Sequence, residues 1–543
     1  MKKHNTLKVV LIALLVFLVL SWIFPAAYFS SEFVEEGRVQ MGLSDVFNYF
    51  MTTVSYFGHY ALYLILVGAF YGVLYKIPAY RTFLDKIVAK VNSNVFIIVT
   101  VLLLALGVSF AGLQIGFAIF VPLIVAIILL MGYDKIVAAL VVVGSMAAGL
   151  VGSTFAYGNN SIILSVLGLK ADYSLLVRLI MLFLAVALLL FNIFMYIRHN
   201  KGNIKVEKPA KKVEAAKEEV VVAKKVEVPK KTDTKKAPAK KATEKKTAGK
   251  TITKKTTKAK STRKNVNKAA LRDEDIIVVK ESVVNDSTDD AYLVPTRVEM
   301  THKVWPFVVG FILLFVLLVM AWLTWNENGF GIAFFDNLTE KFTGFQLFKF
   351  PLFQKVYGTV NSFGNWTVID LFLPVNLLLL ILVIIYKVKF DDIIDGMVSG
   401  IKKALLPIVI VLLLYTILVL VTYHPYQLVI YKAILGLFKG FNIGTTLVST
   451  LLAAILNVDP AYAYQALLPY LASTIDTSSY EFTAIIAQAM YGFSTIFAPT
   501  SLILMATLAY LKVSYKDWLK TAWKYLLELF VVLLIVFIVL ALI

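Results

Sequence analysis

The stretch GLVGSTFAYGNNSIIL, residues 149–164, breaks an otherwise apolar run with glycines, hydroxyls and two asparagines. A helix in hydrocarbon must satisfy every backbone group internally, so such a break at membrane depth usually lines a cavity or holds an ion or substrate. A second stretch, AMYGFSTIFAPTSLIL at 489–504, does the same near the carboxyl end. Aligned without gaps, Gly152 falls on Gly492, Ser161 on Ser501 and Ile163–Leu164 on Ile503–Leu504. This match points to an internal repeat; the competing explanation is a pair of ordinary Gly/Ser packing faces. The breaks make Gly152, Ser153, Thr154 and Asn159, with Gly492, Ser494, Thr495, Thr500 and Ser501, candidate ligands for substrate or ion. Hydroxyls and freed carbonyls are the groups that replace water around Na⁺ or orient a carboxylate.

Around these breaks the chain has the composition of a membrane protein. It is 543 residues long and 59% hydrophobic, with a mean hydropathy of +0.80 and repeated apolar runs. A helix needs about 20 such residues to cross a bilayer, and a soluble globular fold is excluded. The net charge is +19, but Arg198 to Lys268 alone hold 25 Lys or Arg against 7 Asp or Glu, so the basic character belongs to one segment. Cysteine is absent, which rules out disulfides and thiolate metal sites. His4, His59, His199, His302 and His424 share no ligand spacing, so no metal site is expected. AGKT at 248–251 is no phosphate loop, because Glu244 stands where that motif needs glycine. No nucleophile–base pair or soluble catalytic domain is visible, and no enzyme activity is expected.

Three regions follow: a first transmembrane half at 1–198, a disordered Lys-rich linker at 199–302 and a second transmembrane half at 303–543. The first half carries apolar runs near 7–29, 56–76, 94–111, 113–131, 136–157 and 176–197, with a short element at 160–169. The run at 7–29 is long and lacks a small-x-small cleavage site, which favours a retained helix over a signal peptide. Lys76, Arg81, Lys86 and Lys90 make the next loop basic, so the positive-inside rule puts that loop, the amino terminus and the linker in the cytoplasm. The linker, with KKAPAKKATEKKTAGKTITKKTTKAK, has almost nothing to bury and is suited to anionic lipid headgroups through charge alone. It lacks the aromatic platforms of a specific nucleic-acid binder. The second half has runs at 303–325, 366–387 and 404–423, then two short pieces at 443–457 and 461–475 around NVDPAY, and finally 482–510 and 518–543. Two short apolar pieces about a polar turn describe a re-entrant hairpin. Its candidates are Asn457, Asp459 and Gln465, and GVSFAGLQIGFAIFVP in the first half adds Gln114. Asp459 either binds something, as intramembrane acids usually do, or makes an Asp-Pro turn at the aqueous surface.

At these residues the chain resembles the YfcC-type carriers of the four-carbon-dicarboxylate anaerobic carrier family, within the ion transporter superfamily. IFPAAYF at 23–29, LILVGAFYGVLYKIPAYRTFLDKI at 64–87 and FVPLIVAIILLMGYDKIVAALVVVGSMAAGLVGSTFA at 120–156 follow that family's order. YGFSTIFAPTSLILMATLAYLKVSYKDWLK at 491–520 is similar to its most specific signature. The chain departs where the family has paired acids, here Gly112-Leu113-Gln114-Ile115-Gly116, and where it has N-P-F, here Tyr157-Gly158-Asn159. The family's hairpin motif survives only as Tyr464-Gln465-Ala466. The resemblance implies a secondary carrier with two repeats and hairpins meeting at a central site.

The expected fold is an all-α polytopic membrane protein with about 10–12 transmembrane helices, in two repeat-like halves with re-entrant hairpins and interrupted helices. The expected function is uptake or exchange of small carboxylates or amino acids across the cell membrane by alternating access. It would need no cofactor, would couple to Na⁺ or H⁺, and is compatible with a homodimer. The alternative is a membrane anchor whose basic tail binds ribosome, nucleic acid or anionic lipid.

Overall fold

The two longest apolar helices, Leu43–Leu74 and Phe390–Tyr423, form the axis of the molecule. Each has a small-xxx-small stripe, Gly68/Gly72 on one and Gly396/Gly400/Ala404 on the other, and the stripes press together. A Cβ on Gly68 would stand 2.9 Å from that of Ala404, and one on Gly396 would stand 2.9 Å from the Gly72 carbonyl oxygen. Only glycine lets two backbones approach this closely, the usual basis of helix association in lipid. The helices run antiparallel, since Gly72 meets Gly396 at one end while Tyr49 stacks on Tyr423 at 5.1 Å at the other. Both start earlier than the apolar runs at 56 and 404: Leu43 to Tyr56 and the charged stretch from Phe390 are continuous helix. Hydropathy finds the buried part of a helix and misses a polar extension that needs no lipid.

The computed structural model describes residues 5–200, 293–296, 303–358 and 361–542, and these all belong to one unit. The linker expectation concerns residues that lie, apart from 199–200 and 293–296, outside those described. Among the described residues eight helices are long and apolar enough to span, confirming an all-α polytopic membrane protein. The long pair is central, with 67% and 56% of its apolar windows buried, whereas Ile369–Tyr386 and Tyr515–Leu542 bury 22% and face lipid.

Each half then repeats one order of elements. After Leu43–Leu74 and the half-buried helix Pro78–Lys90 come a hairpin (Ser93–Ala111, Val121–Leu130), a broken helix (Lys135–Val151, Tyr157–Leu167) and a terminal helix (Leu175–His199). After Phe390–Tyr423 and the short Gln427–Leu435 come a hairpin (Ile443–Leu456, Pro460–Thr474), a broken helix (Tyr480–Ser494, Leu502–Leu511) and Tyr515–Leu542. Because the leading helices are antiparallel, the repeat is inverted, as in many carriers. The runs at 113–131, 136–157 and 482–510 are therefore not single helices. A short strand pair that the sequence did not signal, Ala26–Phe29 with Phe33–Gly37, sits at the end where Tyr49 meets Tyr423. Ala27 N–H donates to the Pro425 carbonyl at 3.0 Å, which gives IFPAAYF a sealing role between the halves. Asp134 of GYD has a local role too: it caps the helix at Lys135 by accepting from Val137 N at 2.9 Å.

Candidate functional site

In the first half the helix ends at Val151, after a π turn at Leu140–Gly144, and restarts at Tyr157. Gly152 lies against the Arg178 carbonyl, which would stand 2.6 Å from an added Cβ, so no larger residue fits at the break. The carbonyls released there are not open. Gln488 Nε2 donates to Val151 O at 3.2 Å, and Ser109 Oγ to Gly152 O at 2.6 Å. Arg178 Nη1 donates to Ser153 O and Thr154 O at 3.3 and 2.9 Å, and Asn160 Nδ2 adds a bond to Thr154 O at 3.1 Å. Thr154 in turn donates its N–H and its hydroxyl to Ser109 O, at 2.7 and 3.1 Å. Arg178 is fully buried, lies 3.9 Å from the Tyr173 ring centroid, and leaves its Nε without a partner.

The second break is built from neutral groups. Pro499 has no N–H to continue a helix, and Ser501 caps the resumed helix by accepting from Leu504 N at 3.3 Å. Thr500 Oγ1 donates to Ile455 O at 2.6 Å, Trp518 Nε1 to Ile496 O at 2.7 Å, and the Tyr515 hydroxyl to Phe497 O. Ser494 and Thr495 turn their hydroxyls back to Tyr491 O, at 2.8 and 3.0 Å. Thr154 bonds to the first hairpin as Thr500 bonds to the second, each across 45 residues of sequence. The structural repeat thus sets Thr154 on Thr500, whereas the ungapped alignment sets Asn160 there. Gly492 is not in the break at all; it lies inside Tyr480–Ser494, against the Val151 backbone. The alignment slipped because apolar helices match at many offsets.

Both hairpin tips reach the middle of the long pair. At the first, Gly112 ends the helix with a left-handed φ of 68°, and Gln114 exchanges amide bonds with Asn159 at 2.6 and 3.4 Å. Tyr63 and Tyr71 of Leu43–Leu74 donate to Gly116 O and Ile119 O, at 2.9 and 2.6 Å. At the second, Asn457 Nδ2 donates to Gln427 Oε1 at 3.1 Å, Gln427 Nε2 to Leu456 O at 3.1 Å, and the Tyr491 hydroxyl to Val458 O at 3.0 Å. Asp459 caps Pro460–Thr474 by accepting from Ala461 N at 2.9 Å. It is half-buried and in no ion pair among the described residues. Tyr60, Tyr415, Tyr464 and Tyr491 stand within electrostatic reach of it, and the Tyr60 and Tyr415 rings stack at 5.0 Å. Gln465, by contrast, is exposed on the second arm.

Sequence patterns missed Arg178, Ser109, Gln488 and Trp518. Arg178 carried a usable signal, an arginine within an apolar helix, which is costly unless it faces the interior and is paired. The others look ordinary until the fold brings them to the breaks.

Inverted repeats with two hairpins and two broken helices meeting at one centre are the architecture of many secondary carriers. Residues 283–542 match the family model described as C4-dicarboxylate anaerobic carrier, DcuC. That match covers the second membrane half. No curated protein matches the chain, and neither does any solved structure.

Proposed function

We propose that this protein is a secondary active transporter of small carboxylates, of the YfcC type within the C4-dicarboxylate carriers, working by alternating access. The observation that carries the proposal is Arg178: a fully buried cation held at a helix break, with Asp172 and Glu481 within electrostatic reach and no acid in ion-pair contact among the described residues. A guanidinium in that setting is a receptor for a carboxylate, since it offers planar paired donors and is always charged. Its present carbonyl partners are neutral, so a carboxylate entering beside Nε gains the stronger, charge-assisted bond. The match of the second half to dicarboxylate carriers supports the same solute class.

Asp459 supplies the opposite charge at the second tip, where it receives the driving H⁺ or Na⁺ or the ammonium of an amino-acid solute exchanged for another. Ser153, Thr154, Asn159, Ser494, Thr495, Thr500 and Ser501 surround the breaks and become ligands when the two repeats rock and release their present bonds. The basic loop at 76–92 and the linker face the cytoplasm of the cell membrane, with the linker against anionic headgroups. An anchor with a basic tail would have no use for a buried arginine and two capped breaks.

Uptake and exchange in proteoliposomes, against succinate, fumarate, aspartate and neutral amino acids under imposed Na⁺ and pH gradients, test the proposal. Saturable accumulation of at least one carboxylate is expected. No accumulation or exchange of any of them, from correctly inserted protein, would overturn it.

A further inference from the structure

Away from the breaks, where the glycine stripes of the long pair meet, lies a cavity of about 100 Å³. Its walls come from both halves: Tyr71 and Tyr75 from the first long helix, Val121 and Pro122 from the first hairpin, and Thr507 and Tyr510 from the resumed part of the second broken helix. The lining is almost entirely apolar. Its one ionised residue is Lys403 of Phe390–Tyr423.

Lys403 is half-buried and in no ion pair among the described residues, where the single salt bridge joins Arg81 to Asp85. Its ammonium lies 4.9 Å from the centroid of the Tyr75 ring, and the charge it senses most is another cation, Lys76. The tyrosine hydroxyls beside it are committed: Tyr71 to Ile119 O at 2.6 Å and Tyr75 to Leu293 O at 3.0 Å. An ammonium partly withdrawn from water, beside a second cation and facing an apolar chamber, lacks the counter-charge that would stabilise it. Both mobile features of a carrier, a hairpin arm and a broken helix, form the same walls.

We propose that this chamber is a second anion subsite, toward the end of the bundle that carries the basic loop, in which Lys403 receives a carboxylate of the solute on its way to or from the central breaks. The inference rests on the carboxylate-carrier reading and adds a specific way station to it. The apolar walls select the occupant: a short carbon chain gains burial against Leu64, Val67 and Pro122, a gain that phosphate or sulfate, with no apolar part, does not have.

The test uses the full chain in proteoliposomes, with succinate and aspartate as probes added in turn from each face, for the parent, Lys403→Gln and Lys403→Arg. Lys403→Gln is expected to raise the half-saturating concentration about tenfold from the face carrying residues 76–92, with a change under threefold from the other face, and Lys403→Arg to restore most of the loss. Ala506→Leu, which fills the chamber without touching the charge, should mimic Lys403→Gln. Equal loss from both faces, or transport by Lys403→Gln like that of the parent, overturns the subsite while leaving the carrier reading standing. A parent that binds and moves neither probe overturns both. Thermal unfolding of the purified variants separates misfolding from lost binding, and a folded Lys403→Gln with unchanged succinate protection against unfolding also sinks the subsite.

Discussion

The two breaks have the same shape and different electrostatic character, the first held by a cation and the second by neutral groups. Each is tied to its own hairpin by a threonine, Thr154 to Ser109 O and Thr500 to Ile455 O. Each is capped from the fourth residue of the following terminal helix, but in the first half that residue is Arg178 and in the second it is Trp518. The tips reverse the asymmetry: the first carries the neutral Gln114–Asn159 pair and the second carries the anion Asp459. Repetition fixes where carbonyls are released, and side-chain divergence sets an arginine at the first break and an aspartate at the second tip.

The comparison breaks most directly at its capping residues. Arg178→Gln should remove the charged donors to Ser153 O and Thr154 O and abolish carboxylate transport, at a cost of about 1.5–3 kcal/mol, the range for a hydrogen bond to a charged group. Trp518→Phe removes one neutral bond to Ile496 O and should cost about 1–3 kcal/mol while leaving measurable transport. Thermal unfolding in detergent together with initial uptake rates measures both, and equal damage from the two would show that charge at the first break is incidental.

The anionic tip gives the next largest effect. Asn caps a helix about as well as Asp, so Asp459→Asn should change stability by a few tenths of a kcal/mol, yet it should flatten the pH or Na⁺ dependence of uptake or weaken aspartate relative to succinate. Gln114→Glu, which moves an acid to the other tip and breaks the pairing with Asn159, should not restore the lost dependence. Uptake by Asp459→Asn that follows the parent across pH and Na⁺ would leave this carboxylate as a cap and nothing more.

The smallest effect belongs to the matched threonines. Thr154→Val and Thr500→Val each keep shape and lose the hydroxyl bond to their hairpin carbonyl, worth about 1 kcal/mol, Thr154→Val losing in addition a 3.3 Å contact with Ser109 Oγ. Thr154→Val should slow transport more, because it sits beside Arg178. A matching fall in rate for the two would make the breaks functionally equivalent despite their caps.

The all-α membrane class, the two halves and the presence of two breaks are decided by the sequence, because a helix in lipid must be apolar and a Gly-, Pro- and hydroxyl-rich gap in it is visible residue by residue. The hairpin around Asp459 was legible for the same reason, and Arg178 could have been found from its cost in an apolar helix. Only the tertiary structure decided the register of the repeat, the reach of the long helices beyond their apolar windows, and which donors hold which carbonyls. Those depend on contacts such as Ser109 with Thr154 and Trp518 with Ile496, made between helices whose facing residues have no spacing in common along the chain. Hydropathy records the exchange of each residue between water and lipid. The pairing of a released carbonyl with one particular side chain depends on where two helices cross, and Gly68, Gly72, Gly396 and Gly400 fix that crossing only once both halves have come together.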